Sequence, residues 1–408
     1  MRILTVAIAM ALALGRTAQA ADWPQWRGPT GQGWTTDTDL PVKWDGKSGE
    51  NVVWKAPLPK ADNSYSSPIV IGDRVIITLV MNKMMEHHVL CFDKKEGKPL
   101  WDTLVPPGQW NLTDLRGGYG ASTPASDGEQ IYALFGSAVI AALDLNGKIV
   151  WRKDLPRHDF DVAIGCSPMV YGDTIILQAD MVKKKSSLMA FDKKSGEIRW
   201  EVMRPEVDFA HSTPTLVSIA NKPLLLVAAS NALQGVDPAN GDVRWTCKAK
   251  GDTVSPVFAD GIAYIDSGRG GAGFAVSVDG ALKGDVSKTA LRWSLKNVPE
   301  AFGSPIVVGP HLYRLQGPGI LKCYSLADGA ELYSQRLEGA SAAVSPVATA
   351  DGKIYFASCG RSYVVKAGPK FEQLAANALD DPNYASPAIS DGRIYLKGQR
   401  FLYCIGTK

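Results

Sequence analysis

The stretch SSPIVIGDRVIITLV (residues 66–80) contains a proline followed by two apolar runs that a Gly-Asp pair separates. Apolar runs joined by such a pair are typical of a β-hairpin, because Gly and Asp tolerate the positive φ that tight hairpin turns need. The pattern recurs, and each copy begins with a small residue, a Ser or Thr, and a proline. The prolines are 41 to 56 residues apart, at Pro68, Pro124, Pro168, Pro214, Pro256, Pro305, Pro346 and Pro387.

Each copy continues with a third apolar run, a loop containing glycine and a fourth run that carries an aromatic residue. The aromatic residues of copies one to six are Trp101, Trp151, Trp200, Trp245, Trp293 and Tyr333. Four short strands per copy indicate one small antiparallel sheet, which cannot bury both of its faces alone. The sequence therefore predicts an all-β fold, an eight-bladed β-propeller of four-stranded antiparallel blades. We expect the aromatic residue to cover the gap between neighbouring blades.

The eighth copy ends at FLYCIGTK (401–408) without a fourth strand. The segment NVVWKAPL (51–58), which contains Trp54, has the pattern of that missing strand. We therefore predict that an N-terminal strand completes the last blade. The preceding DWPQWRGPTGQGW (22–34) is expected to lie as a clasp on the outside of the ring, with its tryptophans packed. The predicted division is a signal peptide at 1–20, a clasp segment at 21–50 and the propeller at 51–408.

The first twenty residues, MRILTVAIAMALALGRTAQA, have the pattern of a secretory signal peptide. Arg2 supplies the positive start, residues 3–14 are apolar, and Ala18-Gln19-Ala20 is a small-x-small cleavage site. We expect cleavage near Ala20 and a periplasmic or secreted protein. No cysteine follows the apolar run and no later run is long enough to span a bilayer, so we expect no stable membrane anchor.

Charge and cysteine positions exclude some classes of protein. The chain has 44 basic and 41 acidic side chains, too even a balance for a general nucleic-acid binder. Cys91, Cys323 and Cys404 fall at one equivalent third-strand position, where a small buried residue is needed, so we expect mostly free thiols. A pair among the other three cysteines stays open. Five scattered histidines lack metal-ligand spacing, so no metal site is predicted.

The loops between blades are long and irregular on one face, whereas the opposite face has tight Gly-Asp turns. Function should concentrate on the long-loop face. The residues three before each proline are expected to form the rim of the central channel there: Tyr65, Ala121, Gly165, His211, Thr253, Phe302, Ala343 and Tyr384. Aromatic rings among them are suited to stacking on a planar ligand.

We assign no catalytic residue, because neither a G-x-S-x-G nor an H-E-x-x-H motif is present. The candidate ligand- or partner-binding residues combine rim rings with polar loop residues and the arginine of a Gly-rich loop at 268–271. They are Tyr65, Arg116, Tyr119, His158, Asp161, His211, Arg269, Phe302, Arg361 and Tyr384.

The eight S/T-P, Gly-Asp and G-x-x-x-W units resemble the repeat of the pyrroloquinoline-quinone (PQQ)-like β-propellers, over about residues 50–407. The DWPQWRGPTGQG start and the GRGG and KGDV segments are similar to a BamB-like, secreted bacterial subgroup. Within this group, quinoprotein alcohol dehydrogenases hold PQQ and Ca²⁺ at the channel, and BamB-type scaffolds bind proteins without catalysis. The adjacent cysteines that the dehydrogenases use are missing here, so none of their site residues is carried over.

These observations favour a non-catalytic binding or scaffold module, a monomer that takes a protein, peptide or glycan at its long-loop face. No cofactor is predicted. A PQQ-dependent oxidoreductase, with PQQ and Ca²⁺ at the channel mouth, stays open as the alternative. A polysaccharide-acting enzyme using Asp159, Asp161, Asp208 and His211 stays open as a third reading.

The signal segment gives a direct prediction. The secreted protein should begin at Ala21, because Ala18 and Ala20 provide the small side chains that signal peptidase accepts. Intact-mass measurement of the exported protein checks this. Replacing Ala20 with a bulky residue such as Phe should leave a chain of precursor mass, and an unchanged mature mass would contradict the assigned site.

Overall fold

A computed structural model describes residues 22–108, 118–156 and 164–407. These residues form eight small sheets, each built on four antiparallel strands, and two of the sheets have a fifth strand that pairs in parallel. First strands of neighbouring blades contact one another, as Ile69–Ile71 does with Ala388–Ser390 and Ala125–Ser126 with Met169–Tyr171, so they lie nearest the common axis. The predicted all-β, eight-bladed propeller is confirmed.

Each blade is numbered by its first strand, which follows the Ser/Thr-Pro pair. In blade 1 the strands are β3 Ile69–Ile71, β4 Arg74–Met81, β5 Glu86–Asp93 and β6 Pro99–Val105. In blade 2 they are β7 Ala125–Ser126, β8 Gln130–Phe135, β9 Val139–Asp144 and β10 Ile149–Asp154. In blade 3 they are β11 Met169–Tyr171, β12 Thr174–Ala179, β13 Ser187–Asp192 and β14 Ile198–Met203. In blade 4 they are β15 Thr215–Ile219, β16 Lys222–Ala229, β17 Ala232–Val236 and β18 Val243–Lys248.

The other four blades repeat this meander, and blade 8 takes one strand from the N-terminal segment. In blade 5 the strands are β19 Val257–Ala259, β20 Ile262–Asp266, β21 Gly271–Ser277 and β23 Leu291–Val298. In blade 6 they are β24 Ile306–Val308, β25 His311–Gln316, β26 Ile320–Ser325 and β27 Glu331–Arg336. In blade 7 they are β28 Val347–Thr349, β29 Lys353–Phe356, β30 Arg361–Lys366 and β31 Gln373–Ala378. In blade 8 they are β32 Ala388–Ser390, β33 Arg393–Lys397, β34 Phe401–Ile405 and β2 Val52–Pro57.

The residue before each proline links its blade to the next. Its backbone N–H donates to the side-chain oxygen of the corresponding Ser or Thr in the following blade, over 2.8 to 3.2 Å. In order round the ring these residues are Ser67, Thr123, Ser167, Thr213, Ser255, Ser304, Ser345 and Ser386. The last N–H donates back to the first hydroxyl, so the hydrogen bonds form a closed circle.

The aromatic residues on the outer strands link the same neighbours farther from the axis. The indole N–H of Trp151, for example, donates to the Lys193 carbonyl of blade 3 over 2.9 Å. Gly196 of the same loop lies flat on the indole, so that a Cβ there would come within 2.7 Å of the ring. Equivalent glycine contacts cover Trp54, Trp101, Trp200 and Trp293. The predicted interblade role of these aromatics is confirmed.

The ring closes at blade 8 as the sequence indicates. Strand β2 pairs antiparallel with β34, and Trp54 lies opposite Cys404. In the same third-strand register Cys91 faces Trp101 and Cys323 faces Tyr333. The cysteines therefore occupy the equivalent buried positions that were predicted, and all six thiols of the chain are free and buried.

An insertion in copy five replaces the usual glycine contact at blade 4. A two-residue strand, β22 Gly284–Asp285, adds in parallel to the outer strand β18 opposite Trp245. Val286 and Ala290 pack in the same apolar cluster as that indole, which is 2% exposed. The insertion therefore extends blade 4 by a fifth strand and buries its tryptophan.

The N-terminal segment does not follow the course expected for an outer clasp. Trp23 exchanges two backbone hydrogen bonds with Val70 of blade 1, and the Pro24 carbonyl accepts from Ser126 of blade 2. Strand β1 Trp34–Thr35 then pairs in parallel with β28 of blade 7. The N–H of Phe258, in the first strand of blade 5 opposite blade 1, donates to Gln32 Oε1 over 2.7 Å, so residues 22–35 cross one end of the channel. Buried strand N–H groups require partners, and the segment supplies them.

The seam between blades 8 and 1 contains a buried amine. The Lys397 Nζ donates to Ser66 Oγ over 2.7 Å and to the Thr78 carbonyl over 3.2 Å. Within the described residues no carboxylate forms an ion pair with it. Burial lowers the pKa of Lys397 to about 7, against a smaller opposing effect of the Cys359 thiol. Because a buried ammonium group loses its hydration, protonation of Lys397 in the folded state opposes folding.

The glycine contacts predict that one methyl group added at Gly196 strongly destabilises the protein. Gly196 and Gly172 both have positive φ, at 71° and 55°, but only Gly196 has an indole above its Cα. Gly196→Ala should lower the free energy of unfolding by about 2 kcal/mol more than Gly172→Ala, which suffers backbone strain alone. Urea unfolding measures both. Equal losses would show that the Trp151 contact does not constrain the ring.

The lowered pKa of Lys397 predicts that the free energy of unfolding depends on pH. Its folded-state pKa is below the unfolded one, so the unfolded chain binds the extra proton between about pH 7 and 10 and stability from this group rises across that window. Lys397→Met should stabilise the protein by about 2 kcal/mol at pH 6 and flatten the rise above pH 7. Urea unfolding at pH 6 and 9 checks both effects.

A matched variant separates this effect from loss of packing. Lys94 is also buried, but its Nζ lies 2.6 Å from Asp391. Lys94→Met should therefore destabilise the fold, because it removes the ion pair and leaves Ser390 Oγ and the Gly72 carbonyl without their donor. Stabilisation by both variants, or by neither, would contradict the account of the seam.

Candidate ligand-binding cavity on the channel axis

The channel contains a cavity of about 610 Å³. Its lining includes all eight residues that stand three before a proline: Tyr65, Ala121, Gly165, His211, Thr253, Phe302, Ala343 and Tyr384. These residues converge because every blade begins its first strand at the same height beside the axis. The repeat register therefore locates the mouth of the cavity, although it does not establish what binds there.

Aromatic side chains dominate the rim. The Tyr65 and Tyr384 rings lie 5.1 Å apart between centroids, inclined at 55°. Tyr384 is 52% exposed and Phe302 43% exposed. Partial burial raises the pKa of Tyr65, with a smaller contribution from Tyr384. The Tyr65 phenol thus presents a neutral, partly apolar surface to the cavity.

One wall of the cavity contains an arginine whose side chain is fixed by an ion pair. The Arg269 Nε lies 2.6 Å from Asp252 Oδ2, and the guanidinium is 5.9 Å from the centroid of Phe209. Asp252 is buried, and this desolvation raises its pKa to about 6 against the opposing effect of Arg269. Gly268 and Gly270 on either side have φ of 71° and 89°, which allows the tight loop. The pair fixes Arg269 and reduces its net charge.

The floor is a residue that the repeat pattern did not indicate. Trp26 lines this cavity and also a second one of about 300 Å³ on its other side. Its indole N–H donates to Ser255 Oγ over 3.2 Å. The Trp26 side chain of the crossing segment thus separates the two cavities. Trp26 has no counterpart in the other repeats, and only the tryptophan content of residues 22–34 hinted at packing.

Of the other predicted site residues, some line the cavity and some do not. Arg269 lines the cavity, as does His211, for which Gly165 leaves room because a Cβ there would lie 2.9 Å from His211 Cβ. Arg361 is exposed at the start of β30 but does not line the cavity. Arg116, His158 and Asp161 lie outside the described residues.

The expectation that Tyr119 is an accessible binding residue is wrong. Its side chain is 2% exposed and packs with the apolar cluster of blades 1 and 2, at 75° to the ring of His87. The preceding Gly118 lines the cavity in its place and has a φ of 63°. The chain turns at this glycine, and the tyrosine enters the space between the blades.

The described lining does not fit PQQ with Ca²⁺. PQQ carries three carboxylates, and Ca²⁺ needs several carboxylate or amide oxygens. Among the described lining residues, Arg269 is the one cation and is already paired, and Glu300 is the one carboxylate. The described part of the chain also holds no cluster of three or more His, Cys, Asp or Glu side chains suited to a metal.

The fold and cavity define the class: an eight-bladed propeller of PQQ-like repeats whose channel is open at an aromatic rim and closed by the N-terminal segment. The chain belongs to the family of outer membrane protein assembly factor BamB, which its sequence matches over residues 33–159 and 85–335.

Individual relatives agree with this placement. BamB of Yersinia pestis is 21% identical over 373 residues, which cover 88% of this chain and 84% of that protein. The structure of BamB from Moraxella catarrhalis superposes with a TM-score of 0.59 at 13% identity, over 88% of this chain and 97% of that one. A europium-containing methanol dehydrogenase superposes with a TM-score of 0.53 at 11% identity, over 92% and 89%. At these identities the two structures support the fold alone.

Proposed function

We propose that the protein is a periplasmic, non-catalytic scaffold that binds a segment of another protein in its open cavity and takes part in assembly of outer-membrane proteins. The partner class follows from membership of the family of outer membrane protein assembly factor BamB, which is named for that process. The observation that carries the binding site is the exposed aromatic rim on the axis.

Exposed apolar side chains distinguish the rim from the rest of the described surface. On the whole described surface, ten large hydrophobic residues are strongly exposed. Seven of them lie on outer strands and Met85 lies in a hairpin loop of blade 1. The remaining two, Phe302 and Tyr384, line the cavity. Exposed aromatics that converge on a concave surface are typical of a binding site, because their burial by a ligand releases water from large apolar areas.

The chemistry of the cavity favours an uncharged polypeptide segment. Its described charged side chains are the paired Arg269 and the single Glu300, so there is no field to attract a strongly charged ligand. Small residues are interspersed among the aromatic residues of the rim and leave room for apolar side chains. The poor fit to PQQ and Ca²⁺ weighs against the alternative oxidoreductase.

The proposed location rests on the N-terminal sequence and on the family. The signal-like pattern of residues 1–20 is consistent with export, and the family is named for assembly at the outer membrane. Within the described residues, no helix is long and apolar enough to cross a membrane.

Site-specific crosslinking in cells tests the scaffold role. A photoreactive benzoylphenylalanine placed at Tyr384 should form adducts with outer-membrane proteins or their assembly machinery, identified by mass spectrometry. Met203 is equally exposed, at 53%, but lies on the outer strand β14, so the same group there should give none of these adducts. Adding Phe302→Ser and Tyr65→Ser should reduce the Tyr384 adducts about tenfold, since both rings line the same cavity.

Two results would contradict this function. Equal adducts from both positions would show that the rim does not select partners. A shifted quinone absorbance and dye reduction after adding PQQ and Ca²⁺ to the purified protein would establish the oxidoreductase instead.

A further inference from the structure

The hydroxyl groups of the ring have an unused capacity for hydrogen bonding. Each of the eight oxygens accepts a backbone N–H from the preceding blade. A Ser or Thr hydroxyl can also donate one hydrogen bond. Within the described residues, none of these eight O–H groups donates to a protein acceptor. Each therefore retains a donor whose acceptor is not supplied by the ring.

Half of these donors face the cavity. Ser167, Thr213, Ser255 and Ser304 belong to successive blades, and all four line it beside Trp26. Each is at least 93% buried, with exposures of 3%, 7%, 3% and 3%. Ser255 Oγ accepts both the Thr213 N–H and the Trp26 indole N–H, so its acceptor capacity is used and its O–H is left. Buried donors of this kind are costly unless a ligand or water accepts from them.

We propose that these four hydroxyls bind backbone carbonyl oxygens of an extended, uncharged polypeptide segment, whose apolar side chains pack on Trp26 and the rim. This proposal rests on the scaffold function and specifies how the partner is recognised. Recognition through backbone carbonyls does not depend on the side chains of the partner, so one cavity serves segments of different sequence.

The balance of donors and acceptors favours a peptide over a sugar. A glycan brings many hydroxyl donors, and a site for it needs side-chain acceptors. The described lining offers one carboxylate, Glu300, against six Ser or Thr hydroxyls and two tyrosine phenols. An extended peptide brings a carbonyl at every residue and alternating side chains for the aromatic surfaces. The absence of an unpaired cation in the described lining argues against a ligand selected by its carboxylates.

A pair of ring variants isolates the donor role from the structural one. Thr213→Val and Thr123→Val each remove one interblade hydrogen bond, of 2.9 Å in both cases. Only Thr213 lines the cavity. The probe is a capped, fluorescein-labelled octapeptide of alternating tyrosine and threonine, titrated by fluorescence anisotropy. Thr213→Val should weaken its binding about fivefold, whereas Thr123→Val and the hydroxyl-retaining Thr213→Ser should bind like the unmodified protein.

Changes in the peptide backbone provide the complementary test. Replacing one amide of the probe by an ester makes its carbonyl a weaker acceptor. If the ester replaces the amide whose carbonyl accepts from Thr213, it should weaken binding of the peptide to the unmodified protein. It should have little further effect on binding to Thr213→Val, because that variant has already lost the hydrogen bond. Such non-additive losses are expected of two groups in direct contact.

Several results would overturn the inference. These are equal affinity of Thr213→Val and the unmodified protein, equal losses in both valine variants, no saturable peptide binding, or preferential binding of chitooligosaccharides. If Tyr384 still crosslinks to its partners while Thr213→Val binds the peptide normally, the scaffold function stands and the hydroxyl contact is refuted. Loss of the crosslinks themselves would instead refute the function on which it rests.

Discussion

The circle of hydrogen bonds between pre-proline residues is the contact on which the ring depends. The proline that follows has no N–H, so the preceding N–H is the last donor before the strand begins. Near the axis this group is buried and must find an acceptor. The hydroxyl of the next blade, 2.8 to 3.2 Å away, provides it at every seam. The Ser/Thr-Pro pair in each repeat is thus required by the neighbouring blade rather than by its own sheet.

A second set of contacts lies at larger radius, where an indole of one blade lies on a glycine of the next. Inner hydrogen bonds and outer stacking join the same pairs of blades, so the angle between neighbours is set at two radii. An isolated blade is expected to be unstable, because much of its apolar surface is buried against the neighbouring blades. The seam between blades 8 and 1 has both contacts: the Ser386 N–H donates to Ser67 Oγ, and Trp54 of β2 lies on Gly97.

Features that repeat could be predicted from the sequence, and features that occur once could not. Eight proline registers gave the blade count, the closing strand and the eight rim positions, because each position was supported by seven equivalents. Trp26 has no equivalent, and its role depends on a segment crossing the axis. Tyr119 was misjudged because the turn at Gly118 sends its side chain between blades. The ion pair of Asp252 with Arg269 joins two different loops, so spacing along the chain did not indicate it.

The same hydroxyls connect the stability of the ring with the chemistry of its cavity. As acceptors they satisfy the backbone, and the geometry of that bond fixes where each oxygen lies. Each hydroxyl oxygen is therefore held at a defined position by the fold itself, and its O–H can turn toward an acceptor in the cavity. The Trp26 indole gives the described cavity an apolar base on the side of the N-terminal segment, and the aromatic rim lies among the other lining residues. A repeat selected for closing a ring thereby produces a row of neutral donors on its axis, which suits recognition of polypeptide backbone better than recognition of charge.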